Sequence, residues 1–182
     1  MSLAPTERRH APATRAFTLI EILVVVVILG IAAAIVVPAI GSRDDLKATS
    51  AARMIMADLI YAQNRAISQQ KKHYVRFDPA AETYEVLEEI SPAKLITHPV
   101  EASPFLVKMG AAGPGPIRDV LIDIADFDGK TILMFDELGT PYAYDAGTST
   151  ETSMTVGQIR LMCRQLALTI TVEPFSGELR IN

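Results

Sequence analysis

The sequence predicts an α+β protein in which one long N-terminal α-helix, apolar in its first half and amphipathic in its second, packs on an antiparallel, β-rich C-terminal domain. Three observations carry that expectation. The run from Phe17 to Ile40 is apolar except for Thr18, Glu21 and Pro38. From Asp44 to Gln70 apolar residues recur at helical spacing, and beyond Lys72 the hydrophobic period falls to two, with turn residues between the alternating runs.

The elements follow in order along the chain. Residues 1–16 carry Arg8, Arg9 and Arg15 against Glu7, and Pro5 and Pro12 oppose a helix there, so this stretch reads as a cytoplasmic leader outside the fold. At about 1.5 Å per residue the run 17–40 reaches roughly 36 Å, enough to cross a bilayer once. Basic residues before it and the near-neutral group Arg43, Asp44, Asp45 and Lys47 after it place the N-terminus in the cytoplasm and the rest outside. One carboxylate interrupts the run. An acidic side chain in hydrocarbon costs about 2.5–3.5 kcal/mol, so Glu21 calls for a partner.

Residues Arg15-Ala16-Phe17-Thr18-Leu19-Ile20-Glu21, with the apolar helix behind them, resemble the prepilin signal of the type IV pilin and pseudopilin family. That resemblance implies a pilin-like fold. It also implies that a membrane aspartic peptidase, the prepilin peptidase, cuts between Ala16 and Phe17 and methylates the new amine of Phe17. The family usually has Gly before the cut; here it is Ala16, also small. Further implied are an inner-membrane home with the C-terminal domain in the periplasm, an inner-membrane assembly platform, and other pilin or pseudopilin subunits as partners. Staggered along a filament, the freed amine of Phe17 on one subunit can pair with Glu21 on its neighbour, and Glu21 is the expected assembly residue.

Two other readings use the same residues. Glu21 could be a charge close enough to the interface to reach water. Alternatively, Ala32-Ala33-Ala34 could end a secretory signal peptide, in which case the mature protein would begin near Ile35 rather than at Phe17.

Composition narrows the class. The formal charge is −4, and removing the leader takes it to −6, which argues against nucleic acid as a main partner. About 140 residues lie beyond the apolar run, enough for one domain. Cys163 is the single cysteine, so stability must come from packing and not from an intrachain disulfide.

Ala48, Ala51, Ala52, Ile55, Leu59, Ala62, Ala66 and Ile67 form the expected core stripe of the second helical half, with Lys47, Arg53, Asp58, Asn64 and Arg65 on other faces. Pro38 and Gly41 sit at the join of the halves, and Pro38 is the expected kink. The expected divisions are thus leader 1–16, membrane or filament-core helix 17–40, amphipathic continuation 41–71 and β-rich globular domain 72–182. Residues 73–77 and 83–87 alternate about the turn residues 78–82 and predict a β-hairpin. Further strands are expected at 105–109, 120–124, 131–135, 158–162, 166–172 and 179–181, and loops at 110–116 and 145–153.

The stretches Phe135-Asp136-Glu137-Leu138-Gly139 and Pro174-Phe175-Ser176-Gly177, in this order after the helix and hairpin, resemble the GspH/FimT branch of the family. That implies a minor subunit, first a minor pseudopilin of a type II secretion pseudopilus and second a minor type IV pilin serving pilus assembly or DNA uptake. A membrane-tethered periplasmic binding module is a reading from a different class.

The remaining chemistry-bearing residues do not assemble into a motif. Asp123, Asp126 and Asp128 before Gly129 offer hard oxygen ligands that could suit Ca²⁺, but their spacing matches no EF-hand. His10, His73 and His98 are scattered, the last two as surface or strand residues, and Cys163 reads as a buried structural thiol. Arg160, Arg164 and Arg180 make a thin case for nucleic acid. With no nucleophile elbow, phosphate loop or dinucleotide fingerprint, neither catalysis nor a cofactor or metal is expected.

Overall fold

The structure is a computed structural model that describes residues 17–39 and 43–182. The expected leader, including Ala16 and His10, and the join at 40–42 lie outside the described residues. The chain forms two compact units, 1–41 and 42–182.

In the first unit, α1 runs Leu19–Ala39, 21 residues. Every described side chain from Phe17 to Ala33 is exposed. Among the described residues no helix is long and apolar enough to cross a membrane. Side chains in α1 are described as far as Ala33. Pro38 lies in the last turn of α1, and the expected bend falls at the undescribed join.

The second unit begins with α2, Arg43–Gln69, whose first turn carries Asp44 and Asp45 where the helix dipole favours acids. Its inward face is Ala48, Ala51, Ala52, Ile55, Leu59, Ala62 and Ala66, all fully buried. Five alanines let the helix axis come close to the sheets. Gln70, at φ 51°, ends the helix in the left-handed region. The Lys71 N–H donates to Ala66 O (3.2 Å) and the Gln70 N–H to Ile67 O (3.4 Å), the paired bonds of a Schellman cap.

Eleven strands follow: β1 His73–Asp78, β2 Thr83–Ile90, β3 Ala93–Leu95, β4 Leu106–Lys108, β5 Leu121–Phe127, β6 Ile132–Phe135, β7 Pro141–Asp145, β8 Thr150–Ser153, β9 Gly157–Cys163, β10 Leu166–Val172 and β11 Leu179–Ile181. All named pairings are antiparallel. One sheet has the order β3-β2-β1-β6-β7-β8, with β4 also on β2, and the other β11-β10-β9-β5. Helix α2 packs on β1 and β6 of the first sheet and on β9 and β10 of the second. Phe77 in β1 and Phe127 in β5 meet with ring centroids 5.8 Å apart and tie the sheets together, while Phe77 stacks on Tyr84 at 5.5 Å. The α+β class, the antiparallel β-rich domain and the expected strands are therefore present.

The structure corrects two expectations. Ile67 is 41% exposed, so the inward stripe ends at Ala66. The expected loop at 145–153 contains β8, whose residues are all exposed; a polar edge strand buries no alternating face and leaves no period-two signal. The strands β3 and β7 were also not expected. His73 is a strand residue, as one of the two expected readings had it; it opens β1 and is fully buried there.

Candidate functional site

The N-terminal site is built on the start of α1. Thr18 is its N-cap. Its carbonyl accepts the N–H groups of Glu21 (3.1 Å) and Ile22 (3.2 Å), and its Oγ1 accepts the Glu21 N–H at 3.3 Å. Thr18 and Glu21 thus hold the first and fourth positions of a capping box, a pattern legible in the sequence but overlooked there in favour of the charge of Glu21 alone. The acid at this position also faces the positive end of the helix dipole. Phe17 stands immediately outside the cap and is 73% exposed. A chain cut before Phe17 would therefore present its amine one residue upstream of a helix start that is already hydrogen-bonded.

A second constellation joins the two turns singled out in the sequence, and Gln63 of α2 is its centre. Asp136 Oδ1 accepts from the N–H groups of Leu138 (2.9 Å) and Thr140 (2.7 Å), shaping the 136–140 turn, and Gly139 occupies φ 84°. In the other turn the Gly177 N–H donates to Glu173 O at 3.0 Å, with Gly177 at φ 68°. Gln63 Nε2 donates to Gly139 O (2.8 Å) and Ser176 O (3.1 Å). A Cβ on Gly139 would stand 2.7 Å from Ile67 Cδ1, and one on Gly177 2.6 Å from Gln63 Nε2. Both glycines are needed twice over, for the left-handed backbone and for the close approach of α2. Gln70 Nε2 adds a bond to Glu137 O at 3.1 Å.

The other candidates disperse. Asp123 pairs with Arg160. Asp126 Oδ1 accepts the Gly129 N–H at 2.7 Å, closing its own turn. Asp128 accepts from the Thr155 hydroxyl and N–H, 2.7 Å each, and from the Val156 N–H at 2.9 Å; these bonds hold its carboxyl below the usual range. Among the described residues no three His, Cys, Asp or Glu side chains form a metal-holding group. Arg160, Arg164 and Arg180 each face acids, Asp123, Asp44, and Glu173 with Glu178 respectively, so they present no unopposed positive strip. Cys163 is buried, and burial pushes its thiol up.

Comparison with known proteins adds two findings. Residues 12–37 match the prokaryotic N-terminal methylation motif. The fold is similar to that of the minor pseudopilin EpsH from the Type 2 Secretion System of Vibrio cholerae, with TM-score 0.50 at 12% identity over 75% of this chain and 96% of that one. The chain thus carries a prepilin-type methylation motif at its N-terminus and a pilin-like fold behind it. The type IV minor pilin FimU of Pseudomonas aeruginosa matches with TM-score 0.47 at 15% identity, over 76% of the pilin-like chain and 90% of its own. No curated protein matches the pilin-like chain.

Proposed function

We propose that the protein is a minor structural subunit of a pseudopilus, cut between Ala16 and Phe17 by a prepilin peptidase, methylated at Phe17, and held in the inner membrane by α1 until it enters the filament through the assembly platform. One observation carries this reading: a helix whose described residues 19–33 are all exposed and apolar but for one carboxylate at its N-terminal turn. A helix apolar all round belongs in lipid or among like helices. With Phe17 free, its ammonium and Glu21 of the adjacent protomer neutralise each other, and a pair that forms only at one stagger fixes register.

Secretion is the first choice of system, supported by the fold shared with a minor pseudopilin. The domain lies in the periplasm in this reading, and the protein acts by assembling, not by catalysis.

The test is Glu21→Ala in the native host. The variant is expected to be processed and membrane-inserted normally, with at least a tenfold drop in the amount recovered in sheared filaments or crosslinked to other subunits. Wild-type incorporation would overturn the role of Glu21, and Edman sequencing that begins near Ile35 would overturn the processing. Deleting the gene is expected to strand secreted proteins in the periplasm; loss of surface pili with normal secretion would move the subunit to a pilus.

A further inference from the structure

A cleft of about 490 Å³ lies between α2 and the segment 98–117, away from the turns that clasp Gln63. Met54, Val107 and Ile117 supply apolar wall, and Asp58 supplies a carboxylate. Pockets of this size hold side chains or small ligands with a few placed polar groups.

Asp58 is the unusual member. Its Oδ2 accepts the hydroxyl of Tyr84 at 2.5 Å, and the Tyr84 ring is buried in the core. Among the described residues no group donates to its other oxygen, Oδ1, and no Lys or Arg lies within ion-pair distance. Lys108 and Glu101 also line the cleft, both exposed, and His98 stands beside them. The His98 Nδ1 accepts the N–H groups of Val100 and Glu101, 3.2 Å each, which fixes the orientation of the ring.

An asparagine would accept the Tyr84 hydroxyl equally well and would carry no charge into a half-buried wall. Burial indeed pushes the Asp58 carboxyl above the ordinary range, against the opposing hydrogen bond from Tyr84 and the nearby His98. The charge at Asp58 thus costs the fold stability that a neutral isostere would keep. A group maintained at such a cost in a cleft is a candidate for binding.

We propose that this cleft receives the side chain of a lysine or arginine from a partner polypeptide, its aliphatic stem along Met54, Val107 and Ile117 and its cationic head on Asp58. Long basic side chains combine an apolar stem and a charged tip in the way these walls require. The proposal goes beyond the assembly reading and does not use α1.

The experiment is a titration of the full chain, isotope-labelled in detergent micelles, with N-acetylated, C-amidated tripeptides Val-Lys-Val, Val-Arg-Val, Val-Gln-Val and Val-Glu-Val, read by amide chemical shifts. Saturable shifts at Met54, His98 and Val107 are expected with the Lys or Arg peptide, at least tenfold weaker with Gln and absent with Glu. Asp58→Asn keeps the bond to Tyr84, should melt no lower than wild type at pH 7, and should bind the Lys and Gln peptides alike. No saturable shift with any peptide, equal binding of Lys and Gln peptides by wild type, or discrimination that survives in Asp58→Asn would each overturn the proposal. Butylammonium binding as tightly as Val-Lys-Val would overturn the polypeptide and leave a small-amine site.

Discussion

His73 shows how much one side chain can set the response of the domain to acid. It is fully buried, its Nδ1 contacts Lys71 O at 3.1 Å, and its Nε2 has no partner among the described residues. Burial pushes its pKa down, against the pull of the Lys71 carbonyl. The unfolded chain therefore takes up a proton first as the pH falls. Stability from His73 is complete above the ordinary histidine value near 6.5 and is lost as the pH drops below it. The expected outcome is a melting temperature that falls between pH 7 and 5, and falls less steeply in His73→Gln, by thermal unfolding followed by circular dichroism. Asp58, whose carboxyl is raised, slopes the opposite way, so the comparison must be wild type against the His73 variant in the same buffers. The sequence held no sign of this burial, because a histidine at a strand start looks the same whether a helix covers it or water does.

At the scale of elements, α2 and the two turns behave as one piece. Gly139→Ala places a Cβ 2.7 Å from Ile67 Cδ1 at a backbone with φ 84°, and a cost of about 2 kcal/mol is expected from strain and displacement together. Gln63→Ala removes two bonds to carbonyls and should cost about 1–2 kcal/mol. Because both act on the same contact, the double variant should fall short of their sum by more than 0.5 kcal/mol in urea unfolding; additivity would show that the glycine turn is held independently of Gln63. The turns themselves were visible in the sequence as Phe135…Gly139 and Pro174…Gly177, since glycine and proline punctuate strongly. That a glutamine would unite them was not, because nothing local marks an exposed-looking amide as a tie between segments distant in sequence. The inward stripe of α2 was legible through its 3.6-residue period up to Ala66. It failed at Ile67, where the turn at Gly139 and not a sheet is the neighbour. Strand β8 failed for the same kind of reason, being held by β7 and by the Lys72–Glu151 pair (2.6 Å) without a buried face.

For the whole molecule, the division into units 1–41 and 42–182 has an experimental counterpart. Among the described residues, the core of the second unit, from Ala48 to Val172, is made by residues of that unit. A fragment of residues 43–182 is therefore expected to express without detergent, to sediment as a monomer and to melt within about 3 °C of the full chain in micelles. Aggregation of the fragment, or a large drop in its melting temperature, would mean that α1 contributes to the fold. The apolar run made α1 the most readable helix of the chain, since a helix apolar all round leaves an unbroken signal in the sequence. The cleft at Asp58 was the least readable, because it is assembled from α2 and from a segment some 40 to 60 residues later whose loops carry no periodic signal.

The tie from Gln63 to Ser176 spans 113 residues, and this has a bearing on timing. A polypeptide that leaves its birthplace amino end first exposes α2 long before Ser176 exists outside. The clasp can shut only on a finished chain, so a product broken off before residue 176 keeps a helix that is held at one turn and loose at the other. Completion of the tail is thereby recorded in how firmly the C-terminal end of α2 is held.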